Sequence, residues 1–465
     1  MGANLLCGGI LQLQKLRFGK LVAVAIYRLT LHPLARYPGP LLWKLSVWPT
    51  VFLCRSGKRH LQIFAAHKKY GSVVRIGPNM LSFDSSSSVS AIYGPRHGNM
   101  VKSDFHLTLD ATISTPSLFA IVDKEKHAFR RRVIMQAFTE NAMLDASEFY
   151  IEHTKVLVKE LQRKVQDGWA KANIGEYAVW WTLDVMGALS LGKTFNCLTE
   201  STYRHGIPMM RNGIRYTYWA GHLPFRKAID YMLASPILSR FGGQSALDNQ
   251  NYFDFCELAI QERIQDETDA IAAGVKIEER RKDYIHHLLK AVDPETGNQL
   301  SYNELKSDAS LLLAAGSDTM SNTIAAFMFY MARHQRCRDL VTTEIREKFA
   351  DPAEIRYGPV LSSCTYLDAC INEVMRIAVP AAVSPSERVT TGEGIVVDGN
   401  YFPAGITMGT SFYALNLNEA VHRDAFKFWP ERWLVDETGK AGTSKEEVQK
   451  TNQAFFPFSA GHRRC

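Results

Sequence analysis

Clean hydrophobic runs, paired cysteines and dense blocks of one charge are all missing from this 465-residue chain. Each absence removes a class. The apolar-rich stretch from Leu5 to Ile26 is broken by Gln12, Gln14, Lys15, Arg17 and Lys20, so it lacks the roughly 20 clean apolar residues of a membrane-spanning helix. The 8 cysteines are scattered, with no CxxC pair. That argues against a zinc centre and against a disulfide framework. Most of them read as small buried apolar residues. No dense Lys/Arg run marks a nucleic-acid tract, and no internal repeat or low-complexity segment is present. The net charge of +7 is modest and suits an acidic protein partner or an anionic membrane surface.

What is present is enough chain for a large core. The apolar fraction of 46% and charged fraction of 22% are ordinary for a folded protein, and the length admits several domains or one large one. Leu21 to Ile26 is too short to span a bilayer. It reads either as an interface-lying segment, with Lys15, Arg17, Lys20 and Arg28 at the headgroups, or as an ordinary first helix. A turn-rich stretch from His32-Pro33 to Pro38-Gly39-Pro40 then stiffens the chain. Ser72–Ile76 and Met80–Phe83 read as a hairpin around Gly77-Pro78-Asn79. From Lys124 to Arg376 apolar residues recur at helical spacing. Ser307 to Arg333 is apolar on nearly every side and predicts a central buried helix. Short β-like runs follow over Val389–Thr410, and 436–452 reads as a polar loop. The fold class is mainly α with a smaller β part.

The chemistry gathers in a few motifs. The chain ends Phe458-Ser-Ala-Gly461-His-Arg463-Arg-Cys465, and Cys465 is the cysteine that sits inside a pattern. A cysteine preceded by glycine and arginine at these offsets suits a thiolate ligand to haem iron. Gly461 offers a turn of positive φ and a close backbone approach to a flat ligand, Arg463 a cation for a propionate, and Phe458 a face to pack beneath the ring. The central helix carries Ala314-Ala315-Gly316-Ser317-Asp318-Thr319. Small residues there serve close packing or leave room beside Ala315 and Gly316. Asp318 in an apolar run costs several kcal/mol unless paired or used, and Thr319 can bond the carbonyl a turn back. Glu373 and Arg376 share a helix face between apolar flanks. They predict a buried ion pair needing a third partner, with Arg432 in Phe428-Trp-Pro430-Glu-Arg432-Trp433 the candidate. His127 and Arg131, at i and i+4, read as a solvated basic face or as two donors aimed at an anion. Arg388 and His422 carry less when taken singly.

These motifs, in this order, resemble the cytochrome P-450 superfamily of haem-thiolate monooxygenases, of the microsomal type common in filamentous fungi. Supporting stretches are Tyr37-Pro-Gly-Pro40 and Tyr70-Gly-Ser-Val-Val-Arg-Ile-Gly-Pro78, and the resemblance runs from about Tyr27 to Cys465. It implies a triangular prism of helices around haem b, a membrane-associated segment at 1–31 and a catalytic domain at 32–465. It implies Cys465 as the axial ligand and Asp318 and Thr319 as a proton relay. Glu373, Arg376 and Arg432 become a structural triad, and His127, Arg131, Arg388 and Arg463 propionate partners. Substrate-facing segments would be Phe105–Val122, including Phe119, parts of 203–225, Leu311–Thr319, and Ala381–Ser386 with Ala382 and Val383; most are apolar, which fits a hydrophobic small molecule. Electrons would come from NADPH through a cytochrome P-450 reductase at the cytosolic face of the endoplasmic reticulum membrane. The implied reaction inserts one oxygen atom from dioxygen into a secondary metabolite. A haem-thiolate isomerase or dehydratase and a non-catalytic remnant are the alternatives. Relatives continue past the cysteine with a helix and a hairpin, so this reading expects an incomplete domain that binds haem poorly. It also expects a shortened Val421–Pro430 segment that unsettles His422 and the approach to Arg432.

Overall fold

The computed structural model describes residues 18–94, 99–108, 115–168, 171–224, 243–380, 386–436 and 443–465. Ala382 and Val383 lie outside the described residues. Near the N-terminus, helix α1 (Trp48–Ser56) ends at Gly57 with φ of +71° and is followed by α2 (Arg59–Tyr70). Strands β1 (Val73–Gly77) and β2 (Met80–Phe83) form the expected antiparallel hairpin. β3 (Met100–Lys102), β4 (Arg388–Thr390) and β7 (Thr407–Thr410) complete a five-stranded sheet of order β1-β2-β7-β4-β3. Between β4 and β7, β5 (Ile395–Val397) and β6 (Asn400–Phe402) pair separately. The sheet thus joins sequence from both ends of the chain, and buries Leu81, Phe83, Phe402 and Met408 beneath it.

The middle of the chain is helical, as expected. Helices α3 (Lys124–Ile134), α4 (Glu140–Gln166), α5 (Ile174–Ser190), α6 (Gly206–Ala220) and α7 (Gln244–Ala272) precede the long α8 (Tyr302–Arg333). A capping box, Ser301 with Glu304, satisfies the first free N–H groups of α8. α8 packs along α5 so closely that a Cβ on Gly316 would lie 2.6 Å from Met186 Cε. Tyr252 on α7 donates to the Ser310 carbonyl at 2.6 Å. The helical core is Leu183, Leu189, Phe195, Ile260, Ile285 and Leu313.

Two expectations need correction. α8 is not buried on nearly every side. Leu305, Ala309, Leu313, Ser317 and Ser321 are buried, while Ala315 and Met320 are exposed, because α5 and α7 cover one face of it. The 436–452 stretch is not all loop either. Ser444 and Glu447 form a second capping box and start a helix over Lys445–Gln453, which its polar composition concealed. The last helix to matter here, α9 (Thr365–Ile377), carries Glu373 and Arg376 and packs on the Pro430–Trp433 turn.

Candidate functional site

Glu373 is fully buried and accepts at both oxygens. Arg376 donates to it through Nε at 2.9 Å and Nη2 at 2.8 Å, and Arg432 Nε lies 3.0 Å from each oxygen. Trp433 Nε1 and the Trp429 amide add bonds of 3.1 and 3.0 Å. The remaining donors are satisfied by carbonyls. Arg376 Nη1 reaches those of Asn416 and Ala425, both at 2.7 Å, and Arg432 Nη1 that of Arg423 at 2.7 Å. The structure therefore brings the three expected residues together, and the short Val421–Pro430 segment feeds their donors. His422 is the exception in that segment. It is buried, and neither ring nitrogen has a partner among the described residues. Burial, then Arg376, Arg432 and Lys450, push its pKa down to about 3.

The cysteine loop folds as a tight turn over Gly461–Arg463, with Cys465 N–H donating to the Phe458 carbonyl at 3.0 Å. Gly461 has φ of +73°, and a Cβ there would lie 1.8 Å from the Tyr93 carbonyl oxygen. Positive φ was expected; the backbone that comes close is that of Tyr93. Phe458 and Cys465 are exposed, and Cys465 is a free thiol. Arg463 ties the loop to the entry of α3, donating to the carbonyls of Val122 at 2.9 Å and Asp123 at 3.3 Å. Arg131 on α3 donates to the Arg464 carbonyl at 2.9 Å.

Positive charge converges beside this loop. His127 is buried on α3 and its pKa is pushed down to about 3 by burial, then by Arg463, Lys102, Arg131 and Arg388. Burial and Arg388 also lower Arg463, to about 10. Lys102 and Arg388 are buried cross-strand partners on β3 and β4. Like charges directly opposite each other destabilise a sheet, so this arrangement suits a site that receives anions. Lys102 was missed by the sequence reading. Its signal is tertiary, the pairing of two strands far apart in the chain.

The remaining expected residues divide. Asp318 is partly exposed and not immersed in an apolar run; Arg211 Nε on α6 lies 3.3 Å from its Oδ1. Thr319 Oγ1 donates to the Ala315 carbonyl at 2.7 Å, the bond anticipated a turn back. Gly316 turns toward Met186, so its size serves the α8–α5 contact, whereas Ala315 is exposed. Phe119 is exposed, its ring 4.9 Å from Lys102 Nζ.

A family model described as Cytochrome P450 matches residues 38–465. The chain belongs to the cytochrome P450 family. It is 65% identical over 444 residues to the cytochrome P450 monooxygenase fscF of Fusarium equiseti, covering 96% of this chain and 82% of that protein. It is 33% identical over 461 residues to atnE of Emericella nidulans and 31% over 460 residues to AKT7 of Alternaria alternata, both cytochrome P450 monooxygenases. Those matches cover 96% and 97% of this chain and 84% of each relative. This cytochrome P450 is a monooxygenase, and the family implies haem. The residues present fit that group. An exposed cysteine sits on a loop that receives a bond from Arg131 and is tied by its own Arg463 to the Val122 carbonyl, and Arg463, Lys102, Arg131 and Arg388 all act on His127 beside it.

Proposed function

We propose that this cytochrome P450 oxidises a hydrophobic small molecule of fungal secondary metabolism. Cys465 would hold the haem iron, and Arg131, Arg388, Arg463, Lys102 and His127 would receive the propionates. Bound there, a haem-thiolate supplies the oxidising chemistry while the protein supplies orientation and dryness. Thr319 and Asp318 would hold and pass protons on the α8 side. Glu373, Arg376 and Arg432 would fix the segment between α9 and the cysteine loop. The observation that carries this reading is the cation cluster around His127, built from α3, β3, β4 and the cysteine loop.

The finer partners belong to the same proposal. NADPH would deliver electrons through a reductase at a basic face. Leu41, Leu42, Trp48 and Phe52 are exposed apolar residues close in sequence to Leu21 and Ile26, with Arg55 and Lys58 beside them, which favours a membrane surface and the endoplasmic reticulum. No helix among the described residues is long and apolar enough to cross a membrane. The test is the reduced, carbon-monoxide-bound spectrum of the purified chain with added haem. A thiolate-type Soret band that disappears in Cys465→Ser supports the reading; a band unchanged by that substitution defeats it.

A further inference from the structure

The end of α6 meets three other parts of the chain through one buried polar cluster. His222, two residues past the helix, places Nε2 3.2 Å from Glu387 Oε1 and 3.0 Å from Arg59 Nη1. Its Nδ1 lies 2.8 Å from the Tyr218 carbonyl and 3.6 Å from Cys54 Sγ. Arg59 Nη2 donates to the same Glu387 oxygen at 2.9 Å. Cys54, Arg59 and Glu387 are buried, and the His222 side chain is 5% exposed.

The Tyr218 carbonyl fixes the proton on Nδ1. Nε2 then faces a donor and an acceptor at nearly equal distance. Neutral, it accepts from Arg59; protonated, it donates to Glu387 and the cation joins a carboxylate. The aromatic neighbour matters too. The Phe105 ring centroid is 4.5 Å from that of His222, and a Cβ on Gly221 would lie 2.6 Å from Phe105 Cδ2. Phe105 is thus wedged against the end of α6.

We propose that His222 is a positioning residue whose protonated ring pins the end of α6 to Glu387 and thereby sets Phe105 at the substrate-facing wall. The inference rests on the reading of Phe105–Val122 as substrate-facing. The charged and titratable groups around it are Cys54 on α1, Arg59 on α2, Tyr218 on α6 and Glu387 before β4. Lys102, His106 and Arg388 act from the β3–β4 side, His106 feeling both cations and Glu387. Burial and Arg59 oppose the His222 charge, but Glu387 and Cys54 overcome them and raise its pKa to about 9 from 6.5. A raised histidine stabilises docking fully below pH 6.5 and loses that contribution as pH rises through about 9.

Hydrogen exchange of residues 213–222 in the full chain, corrected for intrinsic exchange, tests this. Protection should fall by on the order of 50-fold between pH 7 and pH 9.5. His222→Gln, which keeps a donor without the charge, should change by less than about twofold. His222→Lys, which keeps a cation, should stay more protected than wild type at pH 9.5. Binding of 4-phenylimidazole, an apolar azole read by haem absorbance, should weaken in parallel in wild type and stay flat in His222→Gln. A wild-type protection profile flat with pH overturns the proposal, as does a His222→Gln profile that follows wild type. Should His222→Gln not fold, Glu387→Gln removes the charge from the other side and should flatten the same profile. Failure of all variants and wild type to bind the azole at pH 7 counts against the haem-site reading, while the exchange result still decides His222.

Discussion

Asp318 on α8 is held by Arg211 on α6, with Nε 3.3 Å from Oδ1. The pair links the proposed proton carrier to α6, the helix that His222 follows by two residues. The two side chains are 44% and 31% exposed, so the contact contributes no more than about 1 kcal/mol. Arg211→Ala should therefore shift the thermal midpoint little. Asp318→Asn should leave stability similarly intact but cut product formation by on the order of 100-fold, the usual size of a lost proton carrier. Product formation together with thermal melts checks both. Undiminished turnover in Asp318→Asn would remove it from the mechanism.

Glu373 accepts from two arginines, an indole and a backbone amide with no solvent contact. Removing one partner of a buried ion pair leaves the others uncompensated, at a cost of about 3–5 kcal/mol. Arg376→Ala and Arg432→Ala should each lose that much in urea unfolding. Arg376→Lys should recover little, since an ammonium cannot reproduce the paired bonds to Glu373 and the carbonyl bonds beyond. A loss below about 1 kcal/mol in either alanine variant would show the cluster to be dispensable.

The same residues explain what was legible in the sequence. Glu373 and Arg376 sit three apart between apolar flanks, and Arg432 lies in a compact Pro-Glu-Arg-Trp turn, so local spacing announced a buried cluster. The hairpin β1–β2 was equally local. Arg211 and Asp318 are 107 residues apart, and nothing around either names the other. Lys102 and Arg388 meet only because β3 pairs with β4, a register that neither strand specifies alone. The apolar pattern of α8 overstates its burial, because composition does not say which face α5 and α7 cover: Gly316 packs on Met186, whereas Ala315 is exposed.

Acid should destabilise this protein earlier than its carboxylates alone would require. His106, His127 and His422 each fall to about 3 in the folded chain, chiefly through burial. Unfolded, they take up protons near pH 6.5. Below that value the unfolded state binds more protons, so stability falls with pH until about 3. Each histidine should cost up to about 1 kcal/mol per pH unit in that window. Urea midpoints from pH 7 to pH 5 measure this. His127→Gln and His422→Gln should each flatten the slope. Saturation with haem should flatten the His127 share and leave the His422 share, because the proposed propionates would lie beside the cations that act on His127 and not beside those that act on His422.

Gly461 separates two costs that are often confounded. Its φ of +73° resembles that of Gly274 at +72°, but a Cβ on Gly274 would meet nothing within 4 Å, while one on Gly461 would meet the Tyr93 oxygen at 1.8 Å. Gly274→Ala therefore measures backbone strain alone, about 1 kcal/mol. Gly461→Ala adds a collision with backbone that cannot step aside. The loop would have to swing away from Tyr93, taking Cys465 and the Arg463 bonds to Val122 and Asp123 with it. Thermal melts should rank Gly461→Ala well below Gly274→Ala, and the thiolate-type spectrum should be lost in the first and kept in the second. Equal melts and spectra for the two would mean that the close approach to Tyr93 does not hold the ligand loop.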